Sequence, residues 1–131
     1  MNPTVLELVR YRLAEARETL SDAETLLEKN STRSAMNRIY YAMFYAAIAL
    51  LATRSLASSK HSGAIALFRR EFVKPGLFPA DLAKCLGQAF DLRNRGDYRE
   101  FVVLEKANLQ VLLEEAKAFV AKAEEMVAEA G

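Results

Sequence analysis

Along the first thirty positions apolar residues recur at alternating steps of three and four: Leu6, Val9, Leu13, Ala16, Leu20, Ala23 and Leu27 form one seam. This period is that of an α-helix with one apolar stripe, and it predicts a first helix from about residue 3 to 29. Asn2-Pro3 suits its start, an N-cap amide followed by the proline that tolerates the first helical position. After the stop and new cap of Asn30-Ser31-Thr32, the residues Ala35, Met36, Ile39, Tyr40, Met43, Phe44, Ala47, Ile48, Leu50 and Leu51 leave almost no polar face. A helix that is apolar nearly all round is the buried centre of a bundle.

A third helix is predicted from about Lys60 to Val73, with Ile65, Phe68 and Phe72 inward, ended by Lys74-Pro75-Gly76. Phe78-Pro79-Ala80-Asp81 opens a fourth, whose stripe is Leu82, Leu86, Ala89 and Phe90 and which should fade near Asn94, because Asn94-Arg95-Gly96-Asp97 is turn chemistry. Asp97 and Glu100 can then cap a long fifth helix with Leu104, Ala107, Val111, Leu112, Phe119, Val120, Ala123 and Met126 inward. Short connections imply antiparallel neighbours. The expectation is an all-α, antiparallel up-and-down bundle of four main helices plus a shorter one, in a single domain over residues 1–131.

Composition agrees: of 131 residues only three are proline and five glycine, and tryptophan is absent. The single cysteine, Cys85, cannot form an internal disulfide, and Met1-Asn2-Pro3 lacks the features of a signal peptide, so a cytoplasmic protein is expected. Between Arg38 and Arg54 only fifteen residues run uncharged, three of them tyrosines, against the roughly 20 apolar residues of a membrane span. No membrane partner is therefore expected.

Charge changes the picture more. The net charge of +1 conceals −2 over residues 1–30, +7 over 31–99 and −4 over 100–131. A basic middle suits an anionic partner, since clustered cations raise the local potential even when the total cancels; equally, the acidic end helices could pack against it.

Three clusters could carry chemistry. On the second helix Asn37, Tyr41 and Tyr45 recur every four residues with Arg38 three before Tyr41, a polar and aromatic stripe; the plainer account has tyrosines bonded across the bundle and Arg38 paired with an acid of the first helix. The only histidine, His61, stands at the start of the third helix in Ser59-Lys60-His61-Ser62-Gly63, and its ordinary pKa of about 6.5 suits proton transfer at neutral pH. A lone histidine is more often structural. Arg93, Arg95 and Arg99 bracket Asn94, Gly96, Asp97 and Tyr98; arginine forks beside a helix start suit phosphate oxygens, whereas the plainer account is that they complement a helix dipole while Asp97 caps. One histidine and one cysteine make a metal site improbable, and the chain has no Gly-rich phosphate loop, so no metal or cofactor is expected.

The combination of Ser34-Ala35-Met36-Asn37-Arg38-Ile39-Tyr40-Tyr41-Ala42-Met43-Phe44-Tyr45, then Lys60-His61-Ser62-Gly63, then Leu92-Arg93-Asn94-Arg95-Gly96-Asp97-Tyr98 resembles the HEPN domains of bacteria and archaea over nearly the whole chain. The resemblance implies a small cytoplasmic helical protein, a homodimer, acting beside a minimal nucleotidyltransferase as a toxin and antitoxin pair, and binding RNA or a nucleotide. Many members are metal-independent ribonucleases whose motif is an arginine, four to six residues and a histidine. Arg93 matches the arginine and Asn94 the polar residue after it, but after four intervening residues Tyr98 stands where the histidine would be, and a phenol with a pKa of about 10 is a poor base.

The leading expectation is thus an RNA- or nucleotide-binding protein acting with a nucleotidyltransferase, with Arg38, Tyr41, Arg93, Asn94, Arg95 and Asp97 on the ligand. Its rivals are a metal-independent ribonuclease using Arg93 with His61 or Tyr98, and a structural adaptor without nucleic-acid activity. In some family pairs the nucleotidyltransferase adenylates a tyrosine of the motif region, and Tyr98 would be that acceptor.

Overall fold

The computed structural model describes residues 1–98 and 104–130, apart from the side chains of residues 95–98. Five α-helices follow one another: α1 Pro3–Glu28, α2 Thr32–Ala52, α3 His61–Phe68, α4 Ala80–Tyr98 and α5 Lys106–Ala130. A π-helical turn, Arg69–Val73, extends α3. The all-α architecture is as expected, and no strand occurs among the described residues.

Local chemistry accounts for the ends. The Asn2 side chain accepts the Thr4 backbone N–H at 2.8 Å, and Pro3 is the first helical residue. At the other end of α1, Asn30 takes the left-handed conformation (φ 63°) while the Ser31 N–H donates to Leu26 O, closing the helix as an asparagine can. Ser31 occupies the cap position of α2, yet its side chain makes no capping bond. After the π-helical turn, whose Lys74 N–H reaches Arg69 O, Gly76 turns at φ 85° and Pro79 leads into α4.

α2 lies at the centre, packed on α1, α3, α4 and α5. Thirteen of its residues are buried, from Ala35 to Ala52, which is why it carries almost no polar face. By length and composition α2 could cross a membrane, but in the fold 67% of its apolar stretch is buried, with α1, α3, α4 and α5 packed against it. Ile65, Phe68 and Phe72 point inward as expected, and Phe68, Phe78 and Phe119 join in one ring cluster with centroids 4.7–5.6 Å apart.

Two expectations fail at one junction. The backbone of α4 stays helical through Asn94, Gly96 and Asp97 to Tyr98, so Asp97 lies within α4 and does not cap α5. Turn preference there amounts to at most about 1 kcal/mol per residue, which the hydrogen bonds of continued helix can offset. α5 then begins at Lys106, with Leu109, Leu112, Leu113, Ala116, Phe119, Val120, Ala123 and Val127 buried. Ala107 and Val111 are exposed instead of inward, Val111 by 59%. Each is two residues from Leu109, hence roughly 200° around the helix from it.

The charge asymmetry resolves in an unexpected way. Arg17 binds Glu124 and Lys117 binds Glu24, so the two acidic end helices clasp each other with their own cations. None of the described cross-helix ion pairs joins them to the basic middle.

Candidate functional site

Tyr40 is the hinge of the site. It is fully buried in α2, and a buried phenol needs a hydrogen-bond partner. That partner is the chain's only histidine: Tyr40 Oη and His61 Nδ1 are 2.8 Å apart. The Phe44 ring, one turn along α2 from Tyr40, stacks on the imidazole at 4.2 Å and 13°, while Tyr41 meets it edge-on at 5.6 Å. His61 is thereby held at the first position of α3 by three side chains of one helix.

α4 brings the cation. Phe90 and Arg93 lie three residues apart, hence on one face of the helix. Phe90 packs on Tyr40 with centroids 5.7 Å apart, and the Arg93 guanidinium carbon sits 5.3 Å from the Tyr40 ring and 5.2 Å from the Tyr41 ring. Both distances are within cation–π range. Burial, and then the charge of Arg93, hold the His61 imidazole below its ordinary pKa, so it is neutral at pH 7. Burial pushes the Tyr40 phenol well above its usual range, with Arg93 opposing, so its hydroxyl keeps its proton.

Beside this group Arg38 lies 5.0 Å from the Tyr41 ring, and its Nε and Nη2 donate to Asn37 Oδ1 at 3.2 and 2.8 Å. Its described bonds therefore go to its own helix, not to an acid of α1, because Tyr41 draws the guanidinium along α2. Tyr45 follows Tyr41 at 5.6 Å. Of the residues singled out from the sequence, Arg38, Tyr41, His61 and Arg93 gather here; Asn94 is half-buried on α4 next to Arg93. The side chains of Arg95, Asp97 and Tyr98 lie outside the described residues. From their apolar spacing alone, Tyr40, Phe44 and Phe90 read as core residues. The available signal was the Tyr40 hydroxyl, which no apolar core satisfies.

The tautomer decides what the site can do. If the Tyr40 hydroxyl donates to Nδ1, His61 offers Nε2–H as a donor to an anion; if Nδ1–H donates to the Tyr40 oxygen, Nε2 is a free base. Either state sits beside fixed guanidinium charge. Among the described residues no three His, Cys, Asp or Glu side chains gather as a metal site would require. Cys85 donates to Glu115 Oε2 and to Asp81 O, and burial with the Glu115 bond pushes its thiol up to about 12, which makes it inert as a nucleophile.

Comparison with known proteins adds a family. The family model described as the HEPN domain matches residues 9–127. The chain is 41% identical over 121 residues to a UPF0332 protein of Thermotoga maritima, covering 92% of each. It is also similar to two proteins of Methanocaldococcus jannaschii, both named as candidate toxins, at 30% identity (93% of this chain, 86% of the relative) and 32% identity (92% and 89%).

Proposed function

This chain belongs to the HEPN domain family, and from that premise we propose that it is a toxin-like RNA-binding protein that seats an RNA phosphodiester at the His61–Arg93 cluster. The observation that carries this reading is the convergence of Arg93 and His61 on Tyr40. A guanidinium matches phosphate oxygens in shape and charge, and a His61 Nε2–H adds a second donor at no cost in net charge. Tyr41 and Tyr45 supply aromatic surface on which a base can stack. Membership of the family further supports a homodimer and a minimal nucleotidyltransferase partner, with Tyr98 as the acceptor of adenylate. Light scattering of the purified protein tests the first. A mass gain of one adenylate, lost in Tyr98→Phe, tests the second.

RNA binding is tested by fluorescence anisotropy over a range of salt. Phosphate contacts release counterions, so affinity must fall steeply with added salt and must drop in Arg93→Gln. Salt-independent or absent binding would overturn the reading.

A second reading, metal-independent RNA cleavage at the same cluster, is favoured by the neutrality of His61 beside a fixed cation. In that chemistry the ribose 2′-oxygen bonds to phosphorus as its proton passes to His61 Nε2, and Arg93 stabilises the charge developing on the phosphoryl oxygens. The bond to the 5′-oxygen breaks and that oxygen takes a proton from solvent, leaving a 2′,3′-cyclic phosphate and a 5′-hydroxyl. Incubation of RNA in EDTA with wild type, His61→Ala and Arg93→Gln separates the two readings. Cleavage by the wild type alone establishes catalysis, and intact RNA in all three leaves binding as the activity of the site.

A further inference from the structure

A groove of about 440 Å³ opens beside the cluster, where α3 and its π-helical turn face α4. Ser62, Arg69, Lys84, Gln88, Phe90 and Asp91 line it. It adjoins the cluster through Phe90, which packs on Tyr40, and through Ser62, next to His61 in the chain. Away from the cluster, Arg69 and Lys84 also line an adjoining depression that includes Arg70 and Lys74.

Arg69 has an unusual seat. A Cβ built on Gly87 would lie 2.3 Å from Arg69 Nη2, so the guanidinium rests on α4 backbone that any side chain would cover. Glycine is a poor residue for a helix interior, and at position 87 its bareness is what admits the guanidinium. Among the described residues Arg69, Lys74 and Lys84 make no ion pair, whereas Glu71, the acid of the π-helical turn, is held by Arg54 and Arg70. The carboxylate in the groove is Asp91, at the end nearer Arg93. Lys84 and Arg93 are nine residues apart, about 14 Å along α4 and roughly 180° around it. One phosphate cannot touch both ends, so a ligand that does is an oligomer.

We propose that this groove is a second phosphate subsite, in which Arg69, with Lys84, holds a backbone phosphate of single-stranded RNA adjoining the nucleotide at the His61–Arg93 cluster. The proposal rests on the RNA-binding reading above. It assigns the groove a neighbouring phosphate and the cluster the nucleotide. Contacts of this kind carry affinity and salt dependence without sequence preference.

The test uses labelled 2′-O-methyl oligouridylates, which cannot be cut, as a dinucleotide and as a decamer. In Arg69→Gln, binding of the decamer is expected to weaken about tenfold at low salt, with the slope of log affinity against log salt flattened by about one, and the dinucleotide unaffected. Gly87→Ala keeps every cation but displaces the guanidinium; a loss of decamer affinity of about threefold, in a protein that melts no lower than wild type, separates displacement from unfolding. Wild-type affinity of both variants for the decamer, with binding lost in Arg93→Gln, overturns the groove and leaves the RNA reading standing. Equal weakening of dinucleotide and decamer in Arg69→Gln also overturns it, because Arg69 would then act through the cluster. No binding by the wild type overturns both.

Discussion

The seam between α1 and α5 and the meeting of α2, α3 and α4 use charge in opposite ways. Along the seam, Arg17 meets Glu124 and Lys117 meets Glu24 on the rim of an apolar interior, with side chains about a third to a half exposed. At the other place Arg38 and Arg93 lie against tyrosine rings, and a half-buried imidazole is held neutral among aromatics. Opposite charges at a wet surface contribute little and can be lost without consequence. Charge kept near aromatic faces is costly to dehydrate, and a fold retains such an arrangement where a ligand completes it. The contrast separates a seam whose charges pair with each other from a cluster whose charges face aromatic rings.

The largest effect should come from the shared interior. Phe119→Ala removes a fully buried ring packed on Phe68 and Phe78, and should lower stability by about 3–5 kcal/mol in chemical denaturation. In the cluster, Tyr40→Phe keeps the ring but removes the hydroxyl bonded to His61 Nδ1, and should lower stability by about 1 kcal/mol. Its sharper signature is a changed tautomer balance in the nitrogen-15 spectrum of His61. An unchanged spectrum would show that the Tyr40 bond does not hold the imidazole.

A pH experiment separates the regions again. Burial and Arg93 depress the folded pKa of His61, so between its ordinary value near 6.5 and the lower folded value the unfolded chain binds the extra proton. The stability it contributes is present above that window and is lost as pH falls through it. In Arg93→Gln the His61 titration, followed by NMR, should move up towards the ordinary value. A titration that stays where it was would mean that the two groups are not coupled. The smallest effect belongs to the seam: Arg17→Ala and Lys117→Ala should each change stability by about 0–1 kcal/mol, less in high salt, and leave RNA binding as it was.

Much of this was open to reading in the chain. The 3–4 spacing of Leu6 to Leu27 and the apolar run from Ala35 to Leu51 specify an outer and a central helix, because burial of an apolar stripe is decided by local periodicity. The junction after Arg93 was not, since Asn94 and Gly96 favour a turn by little and the backbone of α4 continues as helix across them. Ala107 and Val111 fall off the inward face of α5 because that face is phased by Leu109, Leu113 and Ala116, and each lies two residues from Leu109.

By itself the sequence determined the order of the helices, and it singled out Arg38, Tyr41, His61 and Arg93 by residue type and spacing. Only the tertiary structure decided that these four share one place, and that Tyr40, counted among the core residues, joins them. His61 and Arg93 are 32 positions apart on different helices, and no local preference reports their distance. What brings them together is the packing of α3 and α4 on the same central helix, which leaves a buried phenol whose hydroxyl the imidazole satisfies.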